Sequence, residues 1–111
     1  MTILELDTDE RDGLVRIMLR GELDLSTAGK VEDELRRVET DRPAVVALDL
    51  SGLSFLDSTG LRLVVSADER AKDEGRRLAI VRGPEEVQRV FTITKLDERL
   101  EIVDDIGSLS L

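Results

Sequence analysis

Three consecutive polar side chains, Asp57, Ser58 and Thr59, stand between an apolar segment and a segment with helical periodicity. Their carboxylate and hydroxyl oxygens are suited to accept hydrogen bonds from the free N–H groups of a first helical turn, so one of them is predicted to be a helix N-cap. Capping needs only one such side chain, and Gly60 follows although glycine disfavours a helix by up to about 1 kcal/mol. We therefore expect that close approach of another molecule, in addition to capping, has shaped this turn.

The flanking segments predict how this polar cluster is positioned. Residues Pro43 to Leu48 form a nearly unbroken apolar run of strand length, which is typical of a strand covered on both faces. After the cluster, apolar residues recur at helical spacing and predict a helix from about Ser58 to Glu74, ended by Gly75. The sequence therefore predicts a buried central strand that leads into the start of a helix.

The remaining segments predict alternating strands and helices around this junction. The predicted strands cover Ile3–Asp7, Leu14–Arg20, Pro43–Leu48, Arg77–Val81 and Leu100–Val103. The predicted helices begin at Ser26 or Thr27, at about Ser58, and near Pro84. We expect an α/β fold with one domain over residues 1–111, in which three to four helices pack against a mixed, mostly parallel central sheet of about five strands.

The first predicted helix has one apolar face and one charged face. Its apolar residues recur at helical spacing and are Ala28, Val31, Leu35 and Val38. Its charged residues form three possible pairs four positions apart, Lys30 with Glu34, Glu32 with Arg36, and Asp33 with Arg37. Each such pair contributes only about 0.2–0.5 kcal/mol, so this face is expected to be an ordinary solvated surface.

The composition removes most familiar catalytic sites. The chain has no Cys and no His. Disulfides, thiolate catalysis, the commonest general base and the commonest metal ligands are therefore excluded.

Charge and hydropathy limit the partners. The net charge of −9 would repel the phosphate backbone of a nucleic acid, so a basic protein surface is the better partner. No stretch reaches the roughly 18–20 apolar residues of a membrane span, and no signal peptide is apparent at the start of the chain. We expect a cytoplasmic protein that binds neither nucleic acid nor a membrane directly.

The segment Asp57-Ser58-Thr59-Gly60-Leu61 resembles a signature of the STAS family, in particular of the bacterial anti-sigma-factor antagonists, which carry it after their central strand. Two further stretches are similar to this family, Gly21–Ala28 after the second predicted strand and Val90–Leu96 near the end. Each motif alone is weak, but three in the right order cover nearly the whole chain. The resemblance implies a STAS fold.

The resemblance also implies a function in partner switching during bacterial stress or sporulation signalling. In these antagonists the first Ser of the signature, here Ser58, is phosphorylated by the partner anti-sigma factor, a serine kinase that is a histidine-kinase-like ATPase. A PP2C-type phosphatase would restore the hydroxyl. ATP and Mg²⁺ belong to the kinase, so the domain is implied to be a substrate, not an enzyme, without a cofactor or metal of its own, and a monomer or weak dimer.

The implied partner-binding surface combines residues of the signature with Arg62, which follows it, and with Asp24 from the loop after the second predicted strand. Its members are Asp24, Asp57, Ser58, Thr59, Gly60 and Arg62. Asp24 and Ser58 both follow predicted strands at the same sheet edge, so they could be neighbours. On the residues alone, a plain turn role for Asp24 is equally well supported.

Three alternatives stay open. A soluble STAS subunit of a lipid or anion transport system would bind a transporter component without phosphorylation. An enzyme could use Asp24, Asp49 and Asp57 around a divalent cation with Ser58 as nucleophile, although no His or Lys base lies close in sequence. Thr59 could be a second phosphoacceptor, but it points about 100° away from Ser58 around the helix.

Overall fold

The computed structural model describes residues 3–109, so Met1, Thr2, Ser110 and Leu111 of the predicted 1–111 domain lie outside the described residues. Its strands are β1 (Leu4–Arg11), β2 (Leu14–Leu23), β3 (Val45–Leu56), β4 (Arg77–Val81) and β5 (Glu101–Val103). Its α-helices are α1 (Ala28–Glu39), α2 (Ser58–Asp73) and α3 (Glu85–Ile93), with short 3₁₀ turns at Leu96–Glu98 and Ile106–Ser108.

The strands form one sheet in the order β1-β2-β3-β4-β5. The hairpin pair β1 and β2 is antiparallel, and the other three neighbouring pairs are parallel. An α-helix connects β2 to β3, β3 to β4, and β4 to β5, as parallel pairs require a crossover. The prediction of a mixed, mostly parallel five-stranded α/β sheet is confirmed.

A single core, aliphatic except for Phe91, joins the helices to one face of the sheet. Its fully buried members include Ile17, Leu19, Leu23, Val31, Leu35, Leu48, Leu50, Val64, Ile80 and Phe91. The first six residues of β3 are buried in succession, which explains the unbroken apolar run that marked it as the central strand.

The strand β3 continues to Leu56, eight residues beyond the predicted end at Leu48. Its second half pairs with the end of β2 through two register shifts. A Cβ at Gly52 would lie 2.8 Å from the Leu19 carbonyl oxygen, so only glycine fits this close approach. The prediction ended the strand too early because Ser51, Gly52 and Ser54 are typical of a loop.

A buried ion-pair network fastens α1 to α2. The Arg70 side chain is only 15% exposed and donates to both Glu39 carboxylate oxygens, at 3.0 and 2.9 Å. The same guanidinium lies 3.0 Å from Glu32 Oε1 and donates to Ser66 Oγ at 3.0 Å. This network fixes the spacing of α1 and α2, whose first turns lie next to the polar cluster of Asp57, Ser58 and Thr59.

The charged face of α1 forms one of its three predicted pairs, between Glu32 and Arg36 at 3.0 Å. The other two predictions are wrong because nearer acceptors compete. Arg37 donates to Glu34 rather than to Asp33, and Lys30 donates to the Leu4 carbonyl oxygen of β1 at 2.9 Å.

The Glu34 carboxyl should make the free energy of unfolding depend on pH. Hydrogen bonds from Arg37, followed by one from the Thr8 hydroxyl, lower the pKa of the Glu34 carboxyl from 4.5 to about 2. A carboxyl with a depressed folded-state pKa stabilises the fold above its unfolded pKa, and this contribution is lost as the pH falls from about 4.5 towards 2. We expect Glu34→Gln to be less stable than the wild type at pH 7, with the difference shrinking across that window in urea denaturation. An unchanged difference at pH 7 and pH 3 would contradict this assignment.

Candidate functional site

The helix start after β3 is capped by Asp57. Asp57 has an extended backbone, and its Oδ1 accepts a hydrogen bond from the Gly60 N–H at 3.0 Å. Its own N–H donates to the Leu23 carbonyl oxygen at 3.2 Å, which joins this junction to the end of β2. The predicted N-cap is therefore confirmed and assigned to Asp57.

Ser58 is the first residue of α2, and its side chain is exposed. Within residues 3–109 its hydroxyl has no hydrogen-bond partner. Thr59 is half-buried and turns instead towards a groove between α1 and α2. Of the two neighbouring hydroxyl groups, the one on Ser58 is the more accessible to another molecule.

Gly60 has an internal explanation. It is buried, and a Cβ there would lie 2.6 Å from Leu56 Cδ1 and 2.8 Å from Leu23 Cγ. A larger residue here would force these two leucine side chains to shift, so the packing favours glycine at this position. The close contacts within the chain already account for a small residue here, and the expected approach of a partner to Gly60 stays a prediction.

Asp24 organises the loop that follows β2. Its Oδ1 accepts hydrogen bonds from the Ser26 N–H at 2.9 Å and from the Ser26 hydroxyl at 2.8 Å. Thr27 donates its hydroxyl to the Glu22 carbonyl oxygen at 2.8 Å and makes no side-chain cap to α1. The turn role of Asp24 is thus observed, while the predicted side-chain cap by Ser26 or Thr27 is wrong because both hydroxyls are used within the loop.

The loop after β2, which holds Asp24, and the β3–α2 junction, which holds Asp57, meet at one edge of the sheet. This position was predicted from the parallel strand order. Asp24 and Asp57 line the same shallow cavity of about 480 Å³ together with Leu25, Ser26 and Phe55. The Leu25 side chain is 79% exposed and that of Phe55 is 46% exposed. Two acidic and two apolar side chains therefore line this cavity, and one of the acids, Asp57, directly precedes Ser58.

Leu25 and Phe55 are the site residues that the sequence predictions missed. Their signals were present: Leu25 lies between the polar residues Asp24 and Ser26, and Phe55 is one of only two aromatic residues in the chain. Exposed apolar side chains that cluster beside polar ones are typical of protein-binding surfaces.

A second depression lies beside the first, between α1 and α2. It has a volume of about 310 Å³, and its lining includes Gly29, Glu32, Thr59, Arg62 and Leu63. Arg62 is exposed at its rim. The candidate partner surface thus extends from the Asp24 loop, across the start of α2, to this groove.

The acids proposed for an enzymatic site are not brought together. Asp49 is only 7% exposed and accepts a hydrogen bond from the Ser51 N–H at 2.9 Å, in the middle of β3. Among residues 3–109, no group of three or more acidic side chains is placed to hold a metal ion. The alternative with Asp24, Asp49 and Asp57 around a cation is therefore wrong. Over the same range no helix combines the length and apolar character needed to cross a bilayer.

The fold and the site together define the class of protein. The family model of the STAS domain matches residues 5–109, and the chain belongs to the STAS domain family. Among its relatives, the anti-sigma-B factor antagonist of Listeria monocytogenes is 32% identical over 108 residues, which cover 97% of this chain and 91% of that protein.

Solved structures share the architecture over nearly the full length. A putative anti-sigma factor antagonist from Thermotoga maritima superposes with a TM-score of 0.86 at 25% identity, covering 93% of this chain and 89% of that one. The Bacillus cell fate determinant SpoIIAA in its phosphorylated form superposes with a TM-score of 0.73, covering 94% of this chain and 96% of that one. At 18% sequence identity, this likeness supports only the fold of the present chain.

Proposed function

We propose that this domain is an anti-sigma factor antagonist, acting in the cytoplasm, whose binding is switched by phosphorylation of Ser58. Unmodified, it docks the Ser58 surface on an anti-sigma factor that is also a serine kinase with a histidine-kinase-like ATPase fold, and a sigma factor is released. The observation that carries this proposal is the exposed, unpartnered hydroxyl at the first residue of α2. The name of the Listeria monocytogenes relative supports it.

The chemical step transfers one phosphoryl group. A bond forms between Ser58 Oγ and the γ-phosphorus of ATP while the bond to the β-phosphate oxygen breaks, so ADP leaves and the hydroxyl proton passes to a base on the kinase. Mg²⁺ is held by the kinase with its nucleotide. A PP2C-type phosphatase later returns the hydroxyl by hydrolysis. The domain is a substrate in both steps and supplies no catalytic residue.

The modification acts on binding and leaves the fold intact. An anion at a helix start is favoured by the free N–H groups and the helix dipole, so α2 tolerates it. The phosphate adds roughly −1.5 to −2 charges beside Asp57 and the Asp24 loop. A partner surface shaped for a neutral hydroxyl must then desolvate and approach this anion, which weakens the complex.

The transport alternative differs in one respect, because a transporter subunit needs no modification of Ser58. A direct test is to capture the native partner, incubate it with this protein and Mg-ATP, and measure intact mass. We expect one added phosphoryl group, absent from the Ser58→Ala variant. No added mass would refute the switch, and added mass on Ser58→Ala would show that another hydroxyl, with Thr59 the first candidate, is the phosphoacceptor.

Leu25 should anchor the partner. Because its side chain is 79% exposed, Leu25→Ser removes apolar contact area from the site with little effect on the fold. We expect at least a tenfold loss of affinity for the anti-sigma factor, since burying a leucine contributes about 1.5–3 kcal/mol. Isothermal titration calorimetry measures the loss.

The matched control for Leu25 is Ile93→Ser. Ile93 is 71% exposed at the end of α3 and does not line the site cavities. It should bind like the wild type. Equal losses for the two variants would show that exposed apolar area in general, and not the Leu25 site, drives association.

A further inference from the structure

Arg62 stands one helical turn after Ser58 on α2, and both side chains are exposed. Residues four positions apart on a helix lie on the same face, with Cβ atoms about 5–6 Å apart. Within residues 3–109 the Arg62 guanidinium has no ion-pair or hydrogen-bond partner. Carboxylates engage the other two basic side chains of α2, Arg70 and Lys72. Arg62 is therefore the basic side chain of α2 that has no partner among the residues that the structure describes.

A phosphate on Ser58 would meet an acidic environment within its own domain. Asp57 precedes it directly, and Asp24 lines the same cavity as Asp57. Asp57 also occupies the Gly60 N–H at 3.0 Å, which removes one of the donors that a helix start offers to an anion. These acidic neighbours make pairing with a cation favourable, and a guanidinium matches phosphate through two parallel N–H···O bonds.

We propose that Arg62 folds back onto phosphorylated Ser58 and forms an intramolecular ion pair, which withdraws its guanidinium from the partner surface. The inference rests on the proposed function, because it needs Ser58 to be the modified residue. Phosphorylation then changes the docking surface twice. It adds an anion at Ser58 and removes the cation that unmodified Arg62 presents at the rim of the α1–α2 groove.

The test uses the full chain with phosphoserine inserted at position 58 during translation, so that no kinase is needed. A ³¹P NMR titration gives the second pKa of the phosphate, which is near 6 when unperturbed. A paired guanidinium favours the dianion and lowers this pKa. We expect the wild-type value to lie about 0.3 pH units below that of the Arg62→Gln variant, the shift that an i,i+4 ion pair supplies.

The matched control is Arg11→Gln. Arg11 is an exposed arginine at the hairpin end of β1, at the opposite end of the sheet from Ser58, and it is unpaired within residues 3–109. It loses the same charge and should titrate like the wild type. Identical pKa values for the wild type and Arg62→Gln, or equal displacements in both variants, would overturn the pairing. If no kinase phosphorylated Ser58, the proposed function would be refuted. The titration would still report on the ion pair, because its phosphoserine is inserted without a kinase.

Discussion

Replacing Ser58 with Asp should lower the affinity of the domain for its anti-sigma factor by about 100-fold, which corresponds to about 2.7 kcal/mol. The substitution places a permanent anion on the first residue of α2, beside Asp57. In the proposed interface this position holds a neutral hydroxyl, so the charge must be desolvated when the complex forms. Since Ser58 is exposed and a helix start favours negative charge, the melting temperature should stay close to that of the wild type. Calorimetric titration and thermal denaturation measure the two quantities.

Ser58→Ala provides the comparison for this prediction. It removes the phosphoacceptor oxygen without adding charge, so it should bind the partner within a few-fold of the wild type and resist modification by ATP. If Ser58→Asp and Ser58→Ala bound equally well, charge at this position would not control the complex. If the Ser58→Asp protein were unfolded, its loss of affinity would result from the lost fold and not from charge at the interface.

Replacing Gly21 with Ala should cost about 3–4 kcal/mol of unfolding free energy, because overpacking and a disfavoured backbone conformation each contribute roughly 1–3 kcal/mol. Gly21 lies at a register shift of β2 with φ of +113°. An added Cβ would lie 2.3 Å from the Ile3 carbonyl oxygen, and the rigid backbone cannot yield as a flexible side chain would. Urea denaturation measures the loss.

Gly29→Ala is the matched control. Gly29 lies on α1, and a Cβ there would meet nothing within 4 Å. Alanine should therefore stabilise the protein by about 0.5–1 kcal/mol through helix propensity. If Gly21→Ala lost less than about 1 kcal/mol, the end of β2 would be able to shift away from β1 and the close approach would not be a constraint.

The order of the elements could be predicted from the sequence because periodicity reports burial directly. The apolar first half of β3 and the apolar stripe of α1 each match what the structure buries. Gly75 marked the end of α2 and has the left-handed φ of +70° that favours glycine there. Boundaries were less predictable, since the second half of β3 mixes Ser and Gly with apolar residues and lacks a clear strand pattern, yet it pairs with β2.

The candidate site was predictable in its backbone and less so in its side chains. Asp57 as a cap follows from local chemistry, as does the convergence of two loops at one sheet edge. The sequence context marks Leu25 and Phe55 as unusual, but whether their side chains are exposed depends on tertiary packing. The same holds for Gly60, whose neighbours Leu23 and Leu56 come from two different strands.

The hydrogen bond from the Asp57 N–H to the Leu23 carbonyl oxygen has a consequence for the kinetics of recognition. Together with the Asp57 cap and the Asp24 turn, it holds both loops in one preorganised shape before any partner arrives. Little conformational entropy is then lost on docking, so association can be fast. Under the proposed function, phosphorylation would then change how long the complex lasts and would leave the order of the domain unchanged.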